Sequence, residues 1–329
     1  MPMTRRPIDH RWPTPSGARL QAGADGPPGS RPARLRTLTG IVSASALGGC
    51  SPASILAPVG PIAGANRTIL LNSLTIMLAI VIPTIVATLV FAWWFRAGNT
   101  RARHRPDFVY SGRIEMVVWS IPILVILFLG AIIWTGSHDL DPRRPIASSA
   151  PPLEVQVVSL DWKWLFIYPQ QGIATVNALV LPVGVPLRFR LTSASVMNSF
   201  FVPKLGSQIY TMNGMETQLN LRADRVGQVY GQSSMYSGDG FSDMNFPVRT
   251  VPVQAFGRWV SRARAGGPIL DVRGYVDLAR QSQHVPARSY RAVQPGLFEA
   301  IVGQRLKPAA GPKEGRGGHA RVSPGTPES

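Results

Sequence analysis

Residues 231–244 read GQSSMYSGDGFSDM. Ser233 and Ser237 stand four apart, Phe241 follows four later, and Met244 three after that. With cysteines at 233 and 237 and a histidine at 241, this loop would be a strong copper motif. Thiolates, an imidazole and a thioether are the soft and borderline donors that electron-transfer copper prefers. Only the thioether of Met244 is present. The five histidines are His10, His104, His138, His284 and His319, so residues 139–283 offer no imidazole from elsewhere. A blue-copper centre, which needs two histidines and a cysteine, is excluded on the same ground.

The segment around this loop has the grammar of short strands. Residues 153–159 alternate with period two, and 187–191 alternate apolar residues with arginines. Residues 217–221, 227–231 and 248–253 are further strand candidates. Pro182, Gly184 and Pro186, and the Asn213-Gly214 pair, mark turns. Many short strands within about a hundred residues predict an antiparallel β-sandwich or barrel over 153–255.

Upstream lie two long apolar runs. Residues 69–95 carry no charge and end at Trp93 and Trp94. Residues 114–134 carry one, Glu115, and end at Trp134. A span needs about 20 apolar residues, and interfacial tryptophans mark its ends. Between the runs, residues 96–113 hold Arg96, Arg101, Arg103, Arg105 and Arg113 against Asp107 alone. The positive-inside rule makes this loop cytoplasmic and both chain ends exported. Glu115 has two readings: an ionisable group used for function at the mouth of a span, or a headgroup-level carboxylate beside Arg113.

The N-terminal 49 residues contain an Arg-rich segment followed by a short apolar run that ends Leu47-Gly48-Gly49-Cys50. A basic region, an apolar region and small residues describe an export signal. Cys50, the only cysteine, then stands where a bacterial lipoprotein is cut and lipidated; the alternative is a free thiol. One cysteine permits no intrachain disulfide. Residues 50–66 read as an exported linker and 136–152 as a second linker. A net charge of +17 could suit nucleic acid, but the basic residues are not interleaved with aromatics, so nucleic acid is not an expected partner. After the strands, 256–306 reads as a helical, aromatic-rich extension with helices from 256 and over 276–281. It includes Tyr275, Tyr290 and Phe298, and packs on the sandwich, packs on a neighbouring subunit, or stays solvated. Residues 307–329, rich in Pro, Gly and basic residues, read as a disordered tail.

DWKWLF at 161–166, VMNSFFVP at 196–203 and the 231–244 loop follow a two-span hairpin in that order. From about residue 40 to 307 this resembles subunit II of the haem–copper terminal oxidases. The resemblance implies a two-helix transmembrane hairpin followed by an all-β cupredoxin-like sandwich with a short helical C-terminal extension. Cytochrome c oxidases of that family hold a dinuclear copper centre, with His in place of Asn198, Cys in place of Ser233 and Ser237, and His in place of Phe241. Four ligands are absent together here and Met244 remains, which resembles the ubiquinol oxidase branch of cytochrome bo type. That likeness implies a non-catalytic subunit of a proton-pumping ubiquinol oxidase that reduces oxygen to water. It would hold no copper of its own, with haem and copper in a partner subunit I. Subunits III and IV, membrane lipid, and ubiquinol reached through subunit I are the implied partners, and cytochrome c is not one. The implied location is the bacterial inner membrane, with the sandwich on the periplasmic side. Glu115 matches an acidic residue of the family near a proton-uptake path. Trp162 and Trp164 read as core or interface aromatics. A membrane-anchored binding or assembly protein with a degenerate cupredoxin domain is the competing reading.

Overall fold

The computed structural model describes residues 55–103, 105, 107–309 and 311. Cys50 and the expected export signal before it lie outside the described residues. Helix α1 spans Pro61–Trp94 and α2 spans Gly112–Asp139. At 1.5 Å per residue they are about 51 and about 42 Å long, against a hydrocarbon core of about 30 Å. Both helices are long and apolar enough to cross a membrane. Leu89 and Ile126 are 65% and 68% exposed, an arrangement that suits lipid rather than water. Pro83 and Pro122 lie inside the helices without ending them. In a low-dielectric setting hydroxyls can serve freed or strained carbonyls, and Thr84 Oγ1 donates to Ile80 O at 2.8 Å.

Helix α1 begins at Pro61, ahead of the apolar run that starts at 69 and inside the stretch expected to be linker. The reason is tertiary. Residues 61–68 are too polar to read as a span, yet together with Val59 and Gly60 they dock on the strand-rich domain. Val59 N donates to Lys204 O (2.8 Å), Ala63 N to Leu205 O (3.2 Å), and Asp224 N to Val59 O (2.8 Å). Gly60 lies so close to this seam that a Cβ would fall 2.1 Å from Arg222 O. Helix α2 likewise outruns its apolar core, ending at Asp139. In the linker after it, the carbonyls of Pro142 and Arg143 accept from Asn220 Nδ2.

The domain after the two helices is a sandwich. Its strands are β1 (Leu153–Leu160), β2 (Lys163–Tyr168), β3 (Ile173–Val176), β4 (Leu179–Pro182), β5 (Pro186–Ser193), β6 (Asn198–Phe201), β7 (Ile209–Thr211), β8 (Thr217–Arg222), β9 (Gly227–Ser233), β10 (Asn245–Val251) and β12 (Arg288–Tyr290). One sheet has the order β12-β3-β2-β1-β5-β8, the other β4-β10-β9-β6-β7. The sheets are mixed, since β1 pairs parallel with β5 and β4 with β10, departing from the expected all-antiparallel sandwich. A short parallel pair, β11 (Ile269–Leu270) and β13 (Ala292–Val293), completes the strands.

Between the sheets lies an aromatic core. Trp164, Phe166, Phe200 and Phe246 have ring centroids 5.0–6.4 Å apart. Strand β1 is buried on both faces. Val155 and Val157 point into this core, while Val158 and Leu160 point outward into a second one. Two-sided burial is why the alternation expected over 153–159 breaks at Val157-Val158, two apolar residues in succession that face opposite cores.

The second core is made by the C-terminal extension. Helix α3 (Val253–Ala265) starts three residues before the expected position and caps the sandwich with Phe256, Val260 and Ala263. Its exposed side carries Arg258, Arg262 and Arg264. Helix α4 is Val272–Ala279, not 276–281; Asp271 starts it by accepting from Gly274 N at 2.8 Å, an N-cap. Helix α5 is Leu297–Val302. Tyr275, Leu278, Tyr290, Leu297, Phe298 and Ile301 from this region cover the outward side chains of β1, β2 and β3. The extension therefore packs on the sandwich, one of the three arrangements open from sequence. Residues 307–309 and 311 belong to this layer rather than to a disordered tail. Ala309 N donates to Ala194 O at 2.9 Å, and Gln281 Nε2 donates to Gly311 O.

Candidate functional site: a hydrogen-bonded loop in a copper-site position

Strand β9 ends at Ser233 and β10 begins at Asn245, so residues 234–244 form the loop that joins two neighbouring strands. Ser233 N donates to Met244 O (2.9 Å), which closes the loop's neck. Strand β6 runs beside β9, with Phe200 opposite Ser233, and thereby brings Asn198 to the same place. The sequence-predicted positions 198, 233, 237 and 244 do converge.

What converges is a set of groups that satisfy one another. Ser233 Oγ donates toward Asn198 Oδ1 (3.2 Å) and Met235 O (3.1 Å), alternative acceptors for one hydroxyl proton. Ser237 Oγ donates to Met244 Sδ at 3.3 Å. Asn198, Ser233, Ser237 and Met244 are all at least 95% buried. Buried polar groups need partners, and here each side chain supplies its neighbour's. Two indoles hold the loop from below. Trp162 Nε1 donates to Ser237 O (3.0 Å) and Trp164 Nε1 to Met244 O (3.3 Å).

Phe241 does not join this buried set. It lies in the single 3-10 turn Phe241–Asp243, is half-buried, and packs against Tyr236 at 5.6 Å. Its side chain faces the loop's rim because the turn that delivers Met244 inward leaves position 241 outside.

The donor set does not fit copper. Two hydroxyls and a carboxamide are neutral oxygen ligands, and one thioether is a weak one, whereas a dinuclear or blue site requires thiolate and imidazole. Among the described residues no group of three or more His, Cys, Asp or Glu side chains could hold a metal ion.

Residues of the 161–166 motif do more than sequence reading assigned to them. Trp162 has φ of +63°, a left-handed conformation costly for a bulky residue. Its ring lies over Gly240, where a Cβ would come within 2.4 Å of it. Lys163, fully buried, faces the extension rather than the core. Its Nζ donates to Asp161 O (3.0 Å), Arg280 O (2.8 Å) and Ser282 Oγ (2.8 Å), so all three ammonium protons have acceptors. Burial pushes it down to about 8, against the upward pull of the Asp161 carboxylate. Asp161 accepts from Ser195 Oγ through Oδ1. The available signal for Lys163 was its place between two tryptophans on a strand. Period two puts it on the opposite face, and only the extension's docking shows that this face is buried.

Glu115 lies in the first turn of α2 and is exposed. A carboxylate there complements the positive end of the helix dipole. It is far from the loop in sequence and belongs to no shared constellation with it.

Residues 155–251 match the family described as cytochrome c oxidase subunit II, periplasmic domain, and residues 264–308 match the COX aromatic-rich motif. The second match coincides with the extension that covers the outer face of the sandwich. A ubiquinol oxidase subunit 2 of Acetobacter aceti is 47% identical over 272 residues, covering 82% of this chain and 88% of the relative. A cytochrome bo(3) ubiquinol oxidase subunit 2 of Pseudomonas aeruginosa is 47% identical over 262 residues, covering 80% and 79%. A quinol oxidase subunit 2 of Bacillus subtilis is 35% identical over 235 residues, covering 70% and 73%. A loop that replaces copper ligands with its own hydrogen bonds, an aromatic-rich cover and these relatives agree, and the chain belongs to the ubiquinol oxidase subunit II family.

Proposed function

We propose that this chain is the non-catalytic subunit II of a proton-pumping ubiquinol oxidase that reduces oxygen to water. The observation that carries this is the copper-site position, where Asn198, Ser233, Ser237 and Met244 hydrogen-bond among themselves. Such a loop has no electron-relay chemistry, so an external cytochrome c has nothing to reduce here. A lipid-soluble donor suits this loss, because ubiquinol reaches the partner subunit I from within the membrane. Haem and copper belong to that subunit, and subunits III and IV complete the complex. The name carried by the relatives, ubiquinol oxidase subunit 2, supports the same assignment.

In this reading α1 and α2 cross the bacterial inner membrane with the 96–113 loop on the cytoplasmic side, as its five arginines favour. The N-terminus and the sandwich are then periplasmic. Cys50 is the lipidated first residue of the processed chain. Glu115, at the cytoplasmic start of α2, supports proton uptake into subunit I.

Purification in mild detergent tests the assignment. A haem-bearing partner with ubiquinol oxidase activity is expected to co-purify, with no copper in the exported domain. The chain running alone without haem would favour a free-standing binding or assembly protein. Two coppers per chain would return it to the cytochrome c oxidases.

A further inference from the structure

Helix α1 ends at Trp94, and the loop that follows folds back on itself. Asn99 N donates to Arg96 O (2.9 Å), Asn99 Nδ2 to Trp94 O (2.6 Å), and Phe108 N to Arg105 O (3.3 Å). These turns shape a concavity of about 580 Å3, bordered by Arg96, Arg103 and Arg105 with Phe95 and Phe108 as its apolar wall. Its volume falls within the roughly 300–1,000 Å3 of ligand clefts. Nothing acidic lines it, and among the described residues no carboxylate pairs with any of its three arginines. Like charges gathered around one cavity repel one another, and an anion removes that cost.

The position says what kind of anion. Trp93 and Trp94 close the apolar helix, and the Arg96 guanidinium lies 5.2 Å from the Trp93 ring centroid. Tryptophans at a span's end mark the headgroup level. Phe95 and Phe108 are 60% and 58% exposed beside the arginines. A free inorganic ion would gain nothing from such walls. A molecule with a phosphate and an apolar continuation matches both halves of the cleft.

We infer that Arg96, Arg103 and Arg105 form a binding site for the headgroup of an anionic phospholipid. The guanidinium forks hold the phosphate, and the two phenylalanines contact the glycerol and the start of the acyl chains. The site rests on α1 being a membrane span, not on which side its loop faces.

The test uses the intact, delipidated oxidase titrated with phosphatidylglycerol or phosphatidylcholine, with bound lipid counted by native mass spectrometry. Phosphatidylglycerol is expected to bind in preference to phosphatidylcholine. Each basic residue near an anionic lipid contributes about a fivefold preference, so the triple variant Arg96→Gln, Arg103→Gln, Arg105→Gln should bind it on the order of 100-fold more weakly. Phosphatidylcholine binding should not change, and millimolar inorganic phosphate should fail to displace the lipid. Haem content and quinol turnover report assembly; if the triple variant does not assemble, each single variant should still weaken binding about fivefold. Equal phosphatidylglycerol retention by wild type and variant overturns the site, and displacement by inorganic phosphate overturns the lipid as its ligand. Impermeant thiol labelling of Ala102→Cys reports the sidedness separately. Labelling from the periplasm would refute the topology and leave the lipid result standing.

Discussion

Gly231→Ala tests whether the copper-site loop is held by the aromatic core beneath it. Gly231 and Phe246 are register partners across β9 and β10. A Cβ at 231 would lie 2.2 Å from Phe246 Cζ and 2.4 Å from Cε2. The ring has nowhere to retreat. It is fully buried, stacks on Phe200 at 5.7 Å and 14°, and meets Trp164 at 5.7 Å and Phe166 at 5.0 Å. Displacing it also moves Trp164, whose indole holds Met244 O. Overpacking of a dense core costs about 1–3 kcal/mol, and the threatened indole hydrogen bond adds about 1, so a loss of at least about 2 kcal/mol is expected. Phe246→Leu alone should cost roughly 1–2 kcal/mol through lost ring contacts. Together they should cost less than the sum by about 1 kcal/mol or more, because the shorter leucine leaves room for the new methyl. Urea unfolding of the detergent-solubilised chain, followed by near-ultraviolet circular dichroism, measures all three variants. A Gly231→Ala stability within about 0.5 kcal/mol of wild type, or strict additivity in the cycle, would refute the packing argument.

Lys163 makes stability depend on pH. Its folded value, about 8, lies below its ordinary 10.5, so between these the unfolded chain binds more protons and stability rises with pH. The penalty is complete below about pH 8 and relieved on the way to 10.5. Wild type should therefore gain on the order of 2 kcal/mol over Lys163→Met between about pH 7 and about pH 10. Parallel pH profiles for the two proteins would sink this account. Gly60→Ala, meeting a backbone carbonyl at 2.1 Å, should undock the start of α1 at a cost of about 2 kcal/mol or more. Hydrogen exchange at the amides of Val59 and Asp224 should then accelerate, and unchanged protection there would count against the seam. Glu115→Ala in the assembled oxidase should lower turnover and proton pumping; unaltered values would remove Glu115 from proton uptake.

Much of the candidate site was legible because its information is chemical. Cysteine and histidine are scarce residue types with few substitutes as ligands, so Ser233, Ser237, Asn198 and Phe241 in a ligand-like spacing are conspicuous before any folding is considered. The convergence of Asn198 with Ser233 followed from the family pattern, and the strand pairing of β6 with β9 supplies its geometry. Less legible was what the vacated positions do. That Ser237 caps Met244 Sδ, that Ser233 serves Asn198, and that Phe241 turns to the rim beside Tyr236 depend on rotamers and a single 3-10 turn.

The sequence by itself determined the two-helix membrane hairpin, the strand-rich class of the domain that follows it and the absence of soft ligands at its loop. Each rests on residue type summed over a local window, where an apolar run or an absent thiol has one meaning. Tertiary structure alone decided that α1 begins at Pro61, since Val59 and Gly60 just before it and Ala63 in its first turn are held by the Lys204 and Leu205 carbonyls of one distant loop. It decided that the extension lies on the outer face of β1, β2 and β3, and so turned Lys163 into a buried tie to residues 280 and 282. A face of a strand reads the same whether water or another layer covers it. Only the long-range contact that removes the water distinguishes a solvated lysine from a desolvated one.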